Sequence, residues 1–186
     1  MKRFLIGIVP AVAILSVVGY EASHPKDAVK PCECLALKTT GAASDDCHNT
    51  RCPAVTLNGL SRPTLNLRGA VLEYGVLTSV NFSSVDLSRS ECSFIALNGV
   101  DLSKANCAGA FMKYARITSC SFNRANLRSA ALAHAAIRTS DFSHADLTAI
   151  DLNGTTVDRA TKWPNGFNPE RHGAIYTGGH KAKSGK

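Results

Sequence analysis

The stretch ANLRSAALAHAAIRTSDFSHADLTAIDLNG, from Ala125 to Gly154, places a large apolar residue at every fifth position. An α-helix requires an apolar period near 3.6 residues, and a half-buried strand requires a period of 2. A period of five therefore predicts neither a long helix nor a long strand. The apolar residues of this stretch are Leu127, Leu132, Ile137, Phe142, Leu147 and Leu152.

The same period continues without insertion over nineteen positions. A small or apolar residue usually lies two positions before each of them, with Asp or Asn often between the two. Because side chains alternate across an extended chain, this pattern indicates a short extended segment with two inward residues. The other two positions are rich in turn-forming residues, so the sequence predicts an all-β solenoid of stacked coils. The nineteen positions are Leu67, Leu72, Leu77, Phe82, Leu87, Cys92, Leu97, Leu102, Cys107, Met112, Ile117, Phe122, Leu127, Leu132, Ile137, Phe142, Leu147, Leu152 and Val157.

The repeats ANLRS, ADLTA and VDLSK resemble the pentapeptide-repeat family, whose consensus is A-(D/N)-L-x-x. The resemblance covers residues 65–159, with departures at SECSF, ANCAG and GVLTS. It implies a right-handed quadrilateral β-helix with four repeats to a coil, and so about five coils. It also implies a C-terminal cap, since similar T-x-W-P-x-G-F-x-P tails follow the repeats in many members.

Four-sided coils bring residues twenty apart into columns, and one outward column is aromatic. It contains Tyr74, Phe94, Tyr114 and His134, with Phe111 in a neighbouring column. Outward aromatic residues on a solenoid are typical of a partner face or a dimer seam. The alternative is that these side chains only stack on one another or lie beneath the N-terminal segment.

The repeat region does not predict an enzyme. Asp141, Asp146 and Asp151 lie on successive faces, and His134 and His144 lie on opposite faces, so no acid–base pair forms. The coils contain no Ser/His/Asp set, phosphate-binding glycine loop or metal-ligand pattern. We therefore expect no catalytic residue, no metal site and no cofactor.

The N-terminal segment, residues 1–22, predicts export. Two cations precede an apolar run over residues 4–20, and polar residues follow, as in a secretory signal. Removal of this signal would place the protein in the periplasm or outside the cell. Since the run is near the minimum length of a membrane span, the alternative is an inner-membrane anchor formed by residues 4–20.

A cysteine-rich segment, residues 23–64, is predicted to cover the N-terminal end of the coils. Its four cysteines, Cys32, Cys34, Cys47 and Cys52, favour two disulfides in an exported chain, with the pairing left open. The alternative is a zinc or redox site in this segment, although the spacing departs from the usual C-x2-C pairs. The other three cysteines, Cys92, Cys107 and Cys120, are predicted to be buried free thiols inside the coils.

The C-terminal segment, residues 160–186, combines a cap with a basic tail. Trp163 and Phe167 can cover the last coil, while Pro164 and Pro169 prevent further strand pairing. Much of the formal net charge of +7 lies in this tail, and the repeat region is nearly neutral. The charge therefore argues against a nucleic-acid interface and against the strongly acidic surface of a topoisomerase-protecting DNA mimic.

The function predicted from these features is a non-enzymatic exported scaffold that presents a rigid face to a protein partner. The partner can be a different protein or a second copy of the chain, with membrane contact only if residues 4–20 are retained. The DNA mimic and the zinc or redox protein remain the alternatives.

Overall fold

The computed structural model describes residues 46–177, which wind into a β-solenoid of about six turns. Seven short strands lie in chain order in a single parallel sheet, each paired with the strand one coil earlier. The register of twenty residues, as in Leu57 opposite Leu77 and Leu77 opposite Leu97, confirms four repeats to a coil. The strands are β1 (Thr56–Asn58), β2 (Val76–Thr78), β3 (Ala96–Asn98), β4 (Arg116–Thr118), β5 (Ala136–Arg138), β6 (Thr156–Val157) and β7 (Ile175–Tyr176).

These strands form the first face of a four-sided coil. The other three faces follow in chain order and are held by isolated parallel bridges, such as Asn81 with Asp101, Asp86 with Asn106, and Glu91 with Phe111. Backbone N–H and C=O groups pair between successive coils on every face, so the ladder satisfies the polar backbone of a chain with few regular elements.

The core is a narrow column of apolar side chains along the axis. The central residue of each repeat and the small residue two positions earlier are buried, which confirms the inward pattern predicted from the sequence. One inner column contains Phe82, Leu102, Phe122 and Phe142. The rings of Phe122 and Phe142 stack with their centroids 4.7 Å apart.

The coil extends beyond the predicted limits of residues 65 and 159. Residues 46–64 form the first coil rather than a separate cap, because Asp46 and Arg51 already bridge to Asn66 and Val71. At the other end, Asp141 pairs with Lys162 and β6 pairs with β7. These pairings extend the coil at both ends, and the total is about six turns rather than five.

The C-terminal cap follows the last coil. A short 3-10 helix, Pro169–His172, begins after Asn168, whose side chain accepts a hydrogen bond from the Glu170 N–H. It ends at Gly173, which has a φ of 89°. The chain then returns as β7 to complete the sheet.

Candidate protein-interaction surface

Four stacked rings mark the corner between the fourth and the first face, and we call them the aromatic ridge: Tyr74, Phe94, Tyr114 and His134. Each ring occupies the third residue of a turn closed by a backbone bond, as from the Gly75 N–H to the Leu72 carbonyl at 3.1 Å. The positive φ of Tyr74, 59°, fits the third residue of a type II turn. The turn therefore projects each ring outward from the corner.

The rings of the aromatic ridge form one continuous stack. Centroid separations are 5.0 Å from Tyr74 to Phe94, 4.9 Å from Phe94 to Tyr114 and 5.2 Å from Tyr114 to His134. Interplanar angles of 5°, 6° and 13° keep the rings nearly parallel. The ridge thus presents a row of ring edges to its surroundings rather than ring faces.

Small residues bound the ridge at both ends, Ala54 before Tyr74 and Gly154 after His134. A Cβ at Gly154 would lie 2.6 Å from the Nδ1 atom of His134. The last ring therefore rests directly on the glycine backbone. The stack is a bounded feature of about four coils.

The ridge is open rather than covered within the described residues. Exposed fractions are 58% for Tyr74, 46% for Phe94 and 48% for Tyr114. Phe111 on the fourth face is 43% exposed, and so is Val76 on the first face. An apolar patch of this kind on a soluble surface is typical of an interaction site.

Backbone strain alone does not distinguish the aromatic ridge. Sixteen non-glycine residues among those described have positive φ, so the coil uses left-handed corners on every side. Lys104, Arg124 and His144 occupy an equivalent column at another corner, with φ values of 60°, 59° and 62°. What separates the two corners is chemistry, because one carries apolar rings and the other carries exposed polar and cationic side chains.

Three of the acidic residues stabilise the turns of the coil. Asp141, Asp146 and Asp151 lie on the second, third and fourth faces, as predicted. Each accepts a hydrogen bond from the backbone N–H two residues later, at 2.8, 3.0 and 3.0 Å. Hydrogen bonds from Ser143 and Thr148 lower the pKa of the Asp141 and Asp146 carboxyls, which keeps both ionised and unsuited to proton donation.

The inner cysteines are buried free thiols, as predicted. Cys92, Cys107 and Cys120 are unpaired and lie inside the coils. Burial raises the pKa of the Cys92 thiol to about 12, although a hydrogen bond with Ser90 opposes this effect. Burial raises the pKa of Cys107 and Cys120 as well, so these sulfurs are protonated and unreactive at neutral pH.

The N-terminal cysteines fall partly within the described chain. Cys47 and Cys52 are buried in the first coil, beneath Leu67 and Leu72 in the inner columns. Cys32 and Cys34 lie outside the described residues, as does the apolar run over residues 4–20, so the pairing of the four cysteines stays a prediction.

The predicted cap residues join the inner aromatic column. Trp163 stacks on Phe142 with centroids 4.9 Å apart, and Phe167 lies 5.5 Å from Trp163. His172 stacks on Phe167 at 4.6 Å. The cap therefore continues the core of the coil outward until its last rings meet solvent.

Two further findings concern residues 46–177 alone. In this range no helix is both long and apolar enough to cross a membrane. The same range contains no group of three or more His, Cys, Asp or Glu side chains placed to bind a metal ion.

The charged residues beside the aromatic ridge were not predicted as part of the site. Glu73 and Lys113 each precede a ridge residue, two coils apart in one column, and Arg116 follows Tyr114 on the first face. The twenty-residue spacing that revealed the rings would also have revealed these neighbours. The prediction considered the apolar members of the face and left out their charged flanks.

A family model described as pentapeptide repeats matches this chain with eight copies, over residues 66–103, 97–132 and 120–159. Together the matched segments span half of the chain, and they confirm the resemblance drawn from the repeats. No curated protein matches the sequence.

Solved structures of similar proteins include a pentapeptide repeat protein from the Arabidopsis thaliana thylakoid lumen. It is 26% identical, with a TM-score of 0.50, and the match covers 52% of this chain and 67% of that one. A pentapeptide repeat protein from Nostoc Pcc 7120 is 24% identical over 52% of this chain and 84% of its own, with a TM-score of 0.39. The plasmid-mediated fluoroquinolone resistance protein QnrB1 is 14% identical over 71% of this chain and 77% of its own, with a TM-score of 0.46.

Proposed function

Because the chain belongs to the pentapeptide-repeat family, we propose that it is an exported, non-enzymatic scaffold that binds a protein partner through the aromatic ridge. The observation that carries this proposal is the exposed stack from Tyr74 to His134. Interface centres are enriched in aromatic residues held in fixed geometry. A rigid coil supplies that geometry, because backbone hydrogen bonds between coils hold each ridge turn in place.

Burial of the aromatic ridge against a partner would offset the free-energy cost of holding bulky residues at positive φ. Bulky residues with positive φ cost of order 1 kcal/mol each, and glycine or asparagine would occupy the same turn position more easily. Ring stacking contributes about 0.5–1.5 kcal/mol for each of the three pairs, which is of the same order as the strain. Binding would add the removal of the ring edges from water.

The test compares two double variants of the full chain. Tyr74→Ser/Tyr114→Ser removes ridge rings, and the matched control, Lys104→Ser/Arg124→Ser, changes the equivalent turn positions at the other corner. Each is used as bait against the envelope proteins of the source cell, with the unfolding midpoint measured alongside. We expect a partner that is retained by the wild type and the control but lost by the ridge variant. A ridge variant that keeps every partner would refute the proposal.

The export part of the proposal has its own test. We propose that the segment of residues 1–22 directs the chain out of the cytosol and that the four N-terminal cysteines then form two bridges. Alkylation of the unfolded chain without reductant should label three cysteines, and labelling after reduction should reach all seven. Seven labels without reductant, together with a bound metal in the native mass spectrum, would favour the zinc alternative instead.

The DNA-mimic alternative gains no support from the described residues. A surface that imitates DNA needs a continuous acidic field. The described surface instead carries both signs of charge, as where Arg128 and Asp146 approach to 3.5 Å on the third face.

A further inference from the structure

We infer that the aromatic ridge pairs with the aromatic ridge of a second copy of this chain, in an antiparallel twofold dimer centred on Phe94. The inference rests on the proposed function, that the ridge is the binding surface, and names its partner. Three observations carry it: the length of the ridge, the apolar residues beside it and the placement of two charges.

The charges lie symmetrically about Phe94. In the column next to the ridge, Glu73 lies one coil before Ser93 and Lys113 lies one coil after it. Neither side chain has an ion-pair partner within residues 46–177. A twofold axis through Phe94, perpendicular to the ridge, exchanges the two positions between copies.

The same axis matches the rings and the flanks. It places Phe94 against the partner's Phe94 and Tyr74 against the partner's Tyr114. On the fourth face, Val71 meets the partner's Phe111, so the exposed Phe111 ring is also covered. Glu73 then faces the partner's Lys113, and this pair occurs twice, whereas Glu91 faces the partner's Glu91 once, at the axis, so two opposite-charge pairs stand against one like-charge pair.

Other arrangements of the two ridges are less complementary. A twofold axis parallel to the ridge would bring the fourth face of one copy onto the first face of the other. Lys113 would then face the partner's Arg116 in the same coil, and like charges across an interface are costly. An antiparallel pairing centred between Phe94 and Tyr114 would place Phe111 against the partner's Glu91 and leave Lys113 against Ser93.

The available surface fits a modest dimer. Aromatic side chains bury about 150–250 Å² each, so the three paired rings, each near half exposure, provide on the order of 300 Å². A standard interface buries about 800 Å² on each partner, and the flanking columns of the fourth and first faces must supply the rest. The antiparallel pairing uses both flanks over the three coils of Tyr74, Phe94 and Tyr114, and it places His134 opposite the partner's Ala54.

The test is a charge exchange in the full chain, followed by sedimentation equilibrium over a wide concentration range. Glu73→Lys and Lys113→Glu each replace two opposite-charge pairs with two like-charge pairs, so each should weaken association at least about tenfold. The double variant Glu73→Lys/Lys113→Glu restores opposite pairs and should recover most of the wild-type association. Lys104→Glu makes the same charge change at the other corner and should leave association unchanged.

The outcomes separate this inference from the proposed function. A wild-type chain that stays monomeric, single variants that dimerise normally, or a double variant that fails to recover would each overturn the dimer. Unfolding midpoints of all variants show whether a loss of association reflects a loss of fold. The proposed function fails on a different result, namely partner binding that survives Tyr74→Ser/Tyr114→Ser.

Discussion

Single residues set the corners of the coil. At the positive-φ corners, the sequence uses glycine, small polar residues and, in one column, aromatic rings. A Cβ costs about 1 kcal/mol at such a φ, and the surroundings decide whether any further cost arises. Substitutions at two corner glycines, Gly59 and Gly154, measure the backbone strain and the contacts of the added Cβ separately.

Gly154→Ala should destabilise the protein more than Gly59→Ala. Gly59 has a φ of 64° with no atom within 4 Å of the position that a methyl group would occupy, so its substitution costs backbone strain alone, about 1 kcal/mol. Gly154 has a φ of 68°, and its methyl would meet the His134 ring at 2.6 Å. We expect a total cost of about 2–3 kcal/mol there, from strain plus displacement of the ring. Urea denaturation measures both.

A second variant identifies the source of the extra cost. If the ring causes it, Gly154→Ala should cost no more than Gly59→Ala in a His134→Ala background. Equal costs in the wild-type background would show that His134 moves aside freely and that the end of the ridge is loose.

The Asp or Asn before each central residue has a turn-stabilising role. Asp141 accepts a hydrogen bond from the Ser143 N–H at 2.8 Å, and Asn81 accepts the same bond from Ser83 at 3.0 Å. Asp141→Asn should therefore keep the unfolding midpoint near that of the wild type at neutral pH. Asp141→Ala should cost about 0.5–1.5 kcal/mol, the usual contribution of one hydrogen bond.

The pH dependence of the Asp141 variants follows from the same bond. The Ser143 hydrogen bond lowers the pKa of Asp141 below 3.8 in the folded chain, so the carboxylate contributes stability above that value. This contribution is lost as the pH falls through the lowered pKa. Urea midpoints measured between pH 7 and pH 2.5 should fall more steeply for the wild type than for Asp141→Asn, and parallel curves would contradict this account.

At the scale of elements, one inner column continues from the coils into the cap. Trp163 extends the stack of Phe122 and Phe142, although the register lengthens there from twenty residues to the twenty-one that separate Asp141 from Lys162. The indole therefore closes the interior of the last coil. Its Nε1 atom is buried with no hydrogen-bond partner among the described residues.

Trp163→Ala should cost about 2–4 kcal/mol, because it removes the ring from a half-buried stacking site and opens the end of the core. Trp163→Phe keeps a ring against Phe142 and removes the unpaired N–H, which costs about 1–3 kcal/mol when buried. The free energy of unfolding of Trp163→Phe should therefore stay within about 1 kcal/mol of the wild-type value. Thermal unfolding of the two variants checks this, and equal losses would show that the indole has contacts specific to its shape.

The elements predictable from the sequence are those that keep the strict period. The period of five predicted the inward residues, including the buried thiols, and the four-sided coil implied by the family resemblance placed the inner phenylalanines and the aromatic ridge in columns twenty residues apart. The first coil was not predicted, because Arg62 interrupts the apolar series at the position where Phe82 lies one coil later. The last coil was not predicted, because its pairings depart from the period of twenty. Asp141 and Lys162 are twenty-one residues apart, and Thr156 and Ile175 are nineteen apart.

The exposure of the ridge was not predictable for a different reason. Spacing assigns a side chain to a column, but the nearly parallel orientation of Tyr74, Phe94 and Tyr114 depends on the turn conformation at each corner. Whether other parts of the chain cover such a column depends on contacts distant in sequence. Of the interpretations that the pattern left open, the described residues confirm that the rings stack on one another, and the N-terminal segment that could cover them lies outside the described residues.

At the scale of the whole molecule, the solenoid is a stack in which each coil contacts only its neighbours. Cys92, Cys107 and Cys120 lie in its two middle coils, so their accessibility reports on opening of the centre. In the native chain at pH 8 we expect none of the three to react with a thiol reagent. All three should become reactive together in urea if the middle of the stack opens as one unit. Early labelling of one thiol alone would show that single coils open independently.

The same thiols predict how stability changes at alkaline pH. Burial raises the pKa of Cys92 from 9.0 to about 12, and that of Cys107 also rises, so the folded chain keeps protons that the unfolded chain loses. The stability linked to these thiols is complete below pH 9 and declines as the pH rises toward the folded value. Cys92→Val/Cys107→Val removes both titrations, and Cys92 borders a small apolar void with Leu102 and Met112. Urea midpoints between pH 7 and pH 10.5 should therefore fall less for this variant than for the wild type. Lysine and tyrosine side chains also titrate in this range, so the test is the difference between the pH curves of the wild type and the variant. Identical curves would show that the thiols do not govern the alkaline stability of the coil.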